Sequence, residues 1–424
     1  MSKFTSMSQA ELQAQQVDLQ ARYDSYKAQG LKLDMTRGLP SKAQLDLAAP
    51  LLELPGRDGY QIDGIDGRNY GGLDGLPEVK ALFADYLAVS SDEVIVGGNS
   101  SLSMMYDALL RAMYFGVQKD AKPWRDYAAV KFLCPVPGYD RHFRVTEHLG
   151  FELVNIDMLD DGPDLGQIED LVAEDETIKG IWCVPRYSNP TGAVYSDETV
   201  DRLAKMKTAA ADFRIIWDDA YAVHHITENP PVLKNILQAC KDHGQPDRVL
   251  MFASTSKITF AGAGLAAMAG SVDNMNEAKK HLFVQTIGPD KINQLRHLLF
   301  FKNLPGINRH MQNHRDIVKP KFDMVQSILH QELDGTGTAN WTNPQGGYFV
   351  SLDTPDGCAH RVVELASDVG VKLTEAGATF PYGKDPSNRN LRIAPTFPPI
   401  GDIEIAMGVL GVCVKLAAIE QQGR

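Results

Sequence analysis

The pattern that most constrains the fold is a succession of short apolar, β-branched runs, each too short for a buried helix and each bounded by turn residues or an amphipathic connector. The runs span residues 94–96, 130–134, 151–156, 180–184, 214–217, 248–253 and 265–270. With helical connectors read at 101–114, 197–211 and 233–243, they predict an α/β fold: a large, mostly parallel, seven-stranded sheet whose crossovers are right-handed helices. No internal repeat or low-complexity tract interrupts this series.

Outside the series the reading changes. Residues 9–30 carry Leu12, Val17, Leu19 and Tyr23 at helical spacing and end at Gly30, which predicts an amino-terminal helix. Residues 33–55 read as irregular, and a helix is expected at 78–88, just after Pro77. Residues 274–333 read as helical with breaks at Pro289, Pro305 and Pro320, and beyond them strands (348–352, 391–393) alternate with helices (360–369, 402–418). The expected organisation is a large domain over 50–305, a smaller α+β domain made from 1–49 and 330–424, and a linking helix over 306–329.

At 424 residues, with 44% hydrophobic and 23% charged side chains, the chain has the composition of a globular protein of two domains. Residues 1–20 hold no apolar core of signal-peptide length, and no run reaches membrane length, so the expected location is the cytoplasm. The five cysteines, Cys134, Cys183, Cys240, Cys358 and Cys413, are scattered without CxxC pairing and read as reduced core residues. A net charge of −12 argues against a nucleic acid or an anionic membrane as partner but leaves a small anionic substrate open, since local arginines can capture one.

Several residues stand where chemistry could be done. Lys257 follows an apolar run that ends in Ser254-Thr-Ser, so it falls at the carboxyl edge of a sheet, where partial desolvation would lower its pKa and make its amine a nucleophile for carbonyl carbons. The plain alternative is a surface lysine after a strand. Asp218 and Asp219 end another run, and two adjacent buried carboxylates are costly unless a cation meets one of them. Asp219 falls on the opposite face of an extended chain and reads as structural. His224-His225 nearby does not complete a recognised metal-ligand spacing, so no metal is expected. Gly97-Gly-Asn-Ser-Ser101 leads from a strand into a helix start, which suits a phosphate or, equally, an ordinary serine cap. Tyr139, after Pro135-Val-Pro-Gly, could stack on a flat ring or pack on the surface. Ser188-Asn-Pro-Thr-Gly192 is a turn by composition. Arg392 offers a fork for a carboxylate, or a surface ion pair.

Four of these blocks, Ser188-Asn-Pro-Thr-Gly192, Trp217-Asp-Asp-Ala-Tyr221, Ser254-Thr-Ser-Lys257 and Asn390-Leu-Arg-Ile-Ala394, occur in an order and at a spacing that resembles the fold type I pyridoxal-phosphate (PLP) aminotransferases, the aspartate aminotransferase family. The resemblance implies that Lys257 bonds to the cofactor aldehyde and later shuttles the proton between substrate and cofactor. It implies that Asp218 faces the pyridinium nitrogen, that Tyr221 and Asn189 bond its phenolic oxygen, that Tyr139 stacks on the ring, and that Ser100, Ser101 and Ser254 bind the phosphate. Arg392, with Asn189 and the backbone around Gly38, would hold the substrate α-carboxylate. Tyr70, in Asn69-Tyr-Gly-Gly-Leu-Asp-Gly-Leu-Pro77, would cross a homodimer interface to the neighbouring phosphate. The chain departs from the family at Leu265, eight residues after the lysine, where an arginine usually balances the phosphate. The expected reaction is ping-pong transfer of an amino group from aspartate to 2-oxoglutarate, with Arg37 and Arg141 as candidates for a second substrate carboxylate. Aromatic or broad-specificity transamination, a PLP-dependent β-eliminating lyase, and an amine-sensing regulator on the same fold are the alternatives.

Overall fold

The computed structural model describes Phe4 and residues 7–422, and within it all seven expected runs lie in one sheet. We number its strands β1 (Val94–Val96), β2 (Lys131–Val136), β3 (Glu152–Leu159), β4 (Gly162–Pro163), β5 (Ile178–Cys183), β6 (Arg214–Asp218), β7 (Val249–Ser254) and β8 (Ala266–Ala269). Their order across the sheet is β1-β8-β7-β6-β5-β2-β3-β4. The eighth strand, β4, is the correction to the expected seven: it is a two-residue piece that folds back antiparallel on β3, and its Gly-Pro sequence carries no strand signal.

Strands β7, β6, β5, β2 and β3 are mutually parallel, while β8 runs antiparallel to both β7 and β1. β1 therefore points the same way as β7, and the carboxyl ends of β1, β2, β5, β6 and β7 gather along one edge, where open α/β sheets bind ligands. Side chains alternate between two cores. Ile215 and Trp217 of β6 enter one, with Val249, Met251 and Ala253 of β7; Ile216 and Phe252 enter the other, with Trp182. Burial on both faces explains why these strands read as unbroken apolar runs. The five cysteines are buried, as expected of core residues.

A further core lies outside the sheet. Leu19 and Tyr23 of the helix Gln9–Lys27 share this core with Phe322, Val325 and Leu329 of the helix Leu304–Leu333, and both helices pack on the helix Ile400–Gln422, which is buried on nearly every side from Ile403 to Ile419. A three-stranded sheet, β9 (Asn340–Trp341), β10 (Val350–Asp353) and β11 (Asn390–Ile393), closes this core.

Two local expectations are corrected. Residues 33–55 are not wholly irregular: Leu33–Asp34 pairs in parallel with Val371–Lys372, and Lys42–Asp46 is a short helix. The helix Leu304–Leu333 runs through Pro320 instead of breaking there, and Pro305 sits in its first turn, where the missing N–H has no partner to lose. An internal proline costs about 3 kcal/mol, but burying Val318, Phe322, Val325 and Leu329 along one face gains about 1.5–3 kcal/mol each, so the helix persists. Pro289 does fall between two helices, Val272–Gln285 and Lys291–Phe301.

Where the sheet edge meets the second core, Val184, Tyr187, Tyr221, Tyr348, Phe349 and Ala394 form a small buried cluster drawn from both. No helix among the described residues is long and apolar enough to cross a membrane.

Candidate active site

β7 ends at Ser254 and the chain turns at once. Thr255 fixes the turn: its N–H donates to the Leu265 carbonyl at 2.8 Å, and its hydroxyl accepts from the Leu265 N–H at 2.9 Å. Gly264 must be glycine here, because a Cβ would lie 2.9 Å from the Ser256 N and Cα. Lys257 is thereby held at the sheet edge. Its carbonyl accepts from the Tyr348 hydroxyl at 3.2 Å and faces His224 Nε2 at 3.4 Å, while its Nζ lies 5.0 Å from the centre of the Tyr221 ring. Burial pushes the Lys257 amine below its ordinary pKa, with the Asp218 charge pulling the other way. Burial also drives the Tyr221 phenol well above its usual range and keeps His224 neutral by lowering its pKa.

Asp218 is the last residue of β6 and shares a face with Ile216, as strand alternation requires. Its Oδ2 accepts from His142 Nε2–H at 2.9 Å, and the His142 ring is stacked on Trp182 with centroids 4.2 Å apart. The other oxygen, Oδ1, is buried with no partner among the described residues. Such an orphan calls for a donor from outside the chain, and a ring N–H carrying positive charge meets that need. Asp219 faces the opposite side and pairs with Arg186 at 3.3 Å.

The helix Ser101–Phe115 begins at the same edge. The Ser100 hydroxyl caps it by accepting from the Ser103 N–H at 3.3 Å, and Ser101 is its first residue. Asn99 joins the two turns: its Nδ2 donates to the Gly262 carbonyl at 3.1 Å, and its own carbonyl accepts from the Ser256 hydroxyl at 3.2 Å. A Cβ at Gly98 or Gly262 would meet no atom within 4 Å, so the space beside the helix start is open. Unpaired amides, the helix dipole and hydroxyls around such a space suit a phosphate. Leu265 contributes nothing polar there, since its side chain is in the sheet's core at 1% exposure.

Arg392, on β11, reaches this edge from the second core. Its Nη1 donates to Asp140 Oδ1 at 2.8 Å and to Asn189 Oδ1 at 3.4 Å, and its guanidinium carbon lies 5.0 Å from the centre of the Phe349 ring. Gly38 packs against the tip of that ring, where a Cβ would sit 2.2 Å from Phe349 Cζ. Tyr139 stands beside His142 at 4.8 Å between ring centres, and burial with the nearby Asp218 charge raises its phenol to about 12.

The structure thus brings together Lys257, Asp218, Tyr221, Tyr139, Asn189, Arg392 and Gly38 on one side, with Ser100, Ser101 and Ser254 at the helix start. Two residues stand apart. Tyr70 is 83% exposed on a loop, and Arg141 lines an open groove of about 620 Å³ with Tyr106, Arg144 and His148. The nearest carboxylate to Arg37 is Asp34, at 3.6 Å. Sequence reasoning missed His142, Tyr348 and Asp140. His142 left a faint signal, a histidine three residues after Tyr139 on the same helical turn; Tyr348 left none, because its partner is 91 positions away.

Two expected results arise here. His142→Asn removes a charge-assisted bond to Asp218 and a buried ring stacked on Trp182, so kcat should fall by about 10- to 100-fold in steady-state assays and the melting temperature should drop by several degrees. Gly38→Ala forces the Phe349 ring toward Arg392; overpacking of about 1–3 kcal/mol should raise the KM of the amino donor by about tenfold and leave the visible spectrum unchanged.

Sheet order, second core and edge lysine together define an aminotransferase of fold type I. A sequence model of the family described as aspartate amino-transferase matches residues 7–424, and the chain belongs to that family. An aspartate aminotransferase of Corynebacterium glutamicum is 45% identical over 404 residues, covering 95% of this chain and 93% of that protein. A Mycolicibacterium smegmatis protein bearing an aminotransferase name is 50% identical over 423 residues, 98% of each chain. Among solved structures, an aspartate transaminase from Corynebacterium glutamicum superposes with a TM-score of 0.97 at 43% identity, covering 99% of both chains.

Proposed function

We propose that this aminotransferase uses PLP to move the amino group of aspartate to 2-oxoglutarate in a ping-pong cycle. The observation that carries the reading is the orphaned Asp218 Oδ1, on a carboxylate whose charge acts on the buried Lys257 amine. PLP, when bound, supplies an aldehyde that links to amines and a protonated ring that takes up the electrons left at the substrate α-carbon.

The chain's own groups account for the rest. Asp218 keeps the proton on the ring nitrogen, and His142 keeps Asp218 oriented. Lys257 carries the proton to and from the α-carbon, a role that the burial lowering its pKa favours. Tyr221 and Asn189 donate to the phenolic oxygen, Tyr139 covers one ring face against water, and Ser100, Ser101 and Ser254 with the helix amides hold the phosphate. Arg392, Asn189 and the backbone at Gly38 bind the α-carboxylate. Arg141, on a groove apart from the other groups, and Arg37 are the two candidates for the second carboxylate of aspartate. The exposed Tyr70 supports a homodimer in which it completes the partner's phosphate site. The Corynebacterium relatives' names favour aspartate.

The test is the visible spectrum of the purified protein reconstituted with PLP. A cofactor band that bleaches with aspartate and returns with 2-oxoglutarate supports the proposal; no band after PLP addition removes it. Arg141 opens on a wide groove, not a closed pocket, and this favours broad or aromatic specificity as the second reading. It is read by bleaching with phenylalanine. Release of ammonia with the oxo acid would instead mark β-elimination.

A further inference from the structure

Arg392 is already engaged. Its side chain is 9% exposed, and a guanidinium so enclosed needs a counter-charge. Asp140 supplies it at 2.8 Å from across the seam, since Asp140 opens the helix Asp140–His148 after β2 while Arg392 lies on β11. The only other polar contact to the guanidinium among the described residues is Asn189 Oδ1 at 3.4 Å, and Arg392 Nε is buried without a partner. The pair is asymmetric. Asp140 is 31% exposed and can turn to water, whereas Arg392 is held over the Phe349 ring. Asp140 is also the first residue of its helix, where the dipole stabilises a released carboxylate.

We propose that Asp140 is a resident carboxylate on Arg392 that the incoming substrate's α-carboxylate displaces. The inference rests on the reading of Arg392 as the α-carboxylate site. Two carboxylates on one arginine repel, so each substrate binds against Asp140, and only an anionic group can replace it. Asp140 is in this sense a specificity-determining residue: it holds affinity down while refusing neutral ligands such as amides. It also ties the two cores together until substrate arrives.

The test compares PLP-loaded wild type, Asp140→Asn and Arg392→Ala by calorimetric titration with succinate, an unreactive dicarboxylate, and by kcat and KM for aspartate. Asparagine keeps the shape and the acceptor oxygen but removes the charge. D140N should bind succinate about 3- to 10-fold more tightly, a modest factor because Asp140 is part-exposed, and KM should fall by a similar factor while kcat moves less. A purely structural role would not produce that split. Asp140→Ser serves if the asparagine variant does not fold. D140N binding succinate no more tightly than wild type, when R392A has lost it, overturns this inference alone. R392A binding succinate as well as wild type overturns the Arg392 reading, and the inference with it.

Discussion

Replacing Lys257 with alanine is expected to reduce turnover with aspartate by at least about 10³-fold, because one side chain serves as both nucleophile and proton carrier, and a positioned acid/base alone contributes about 10²–10⁴-fold. The fold should survive. Burial disfavours the charged amine, so removing it relieves a desolvation cost, and the loop is held by other contacts: Thr255 to Leu265, and Tyr348 to the residue 257 carbonyl, which alanine retains. Thermal melting should therefore match the parent, and PLP should still bind through the helix start and Asp218. The diagnostic measurement is single-turnover kinetics with a small primary amine added to the K257A protein. Partial recovery that grows with amine concentration identifies the lost group as the proton carrier; turnover within tenfold of wild type would remove Lys257 from that role.

Asp218→Asn is expected to cost about 10²–10³-fold in kcat/KM, the scale of removing one preorganised electrostatic group. Asparagine fills the same space and its carbonyl oxygen still accepts from His142 Nε2. What it cannot do is hold a proton on a ring nitrogen, since it brings no charge. The loss should appear in kcat more than in KM, because the ring's charge matters most when electrons leave the α-carbon. The effect should exceed that of His142→Asn, which leaves the carboxylate in place. Equal losses in the two variants would mean that orientation, not charge, is the contribution of Asp218.

The sheet was legible because its strands are buried on both faces, so each appears in sequence as a compact apolar run; β4 was invisible because Gly162–Pro163 has neither length nor a β-branched residue. The helix through Pro320 was misjudged since local propensity penalises proline, while the face of Val318, Phe322 and Val325 that outweighs it is tertiary. In the site, residues at strand ends were found from sequence: Lys257, Asp218 and Arg392 each follow or lie within an apolar run and carry a charge such a place does not tolerate idly. The groups that orient them were not. Tyr348 reaches Lys257, and Asp140 reaches Arg392, over sequence distances of 91 and 252 residues, and no periodicity encodes a contact of that range.

The burial of the helix Ile400–Gln422 bears on how the chain is made. Leu19 and Tyr23 leave the ribosome well before the helix they pack against, Ile400–Gln422, which is synthesised after the whole sheet. The sheet, by contrast, holds all its strands once Ala269 has emerged, and its core is filled by Met311. Translation therefore delivers a sheet able to fold while the amphipathic helix Gln9–Lys27 still waits for its packing partner. Arg392 is synthesised after every strand of the large sheet, so the lysine edge is in place before the residue that completes the candidate carboxylate site exists.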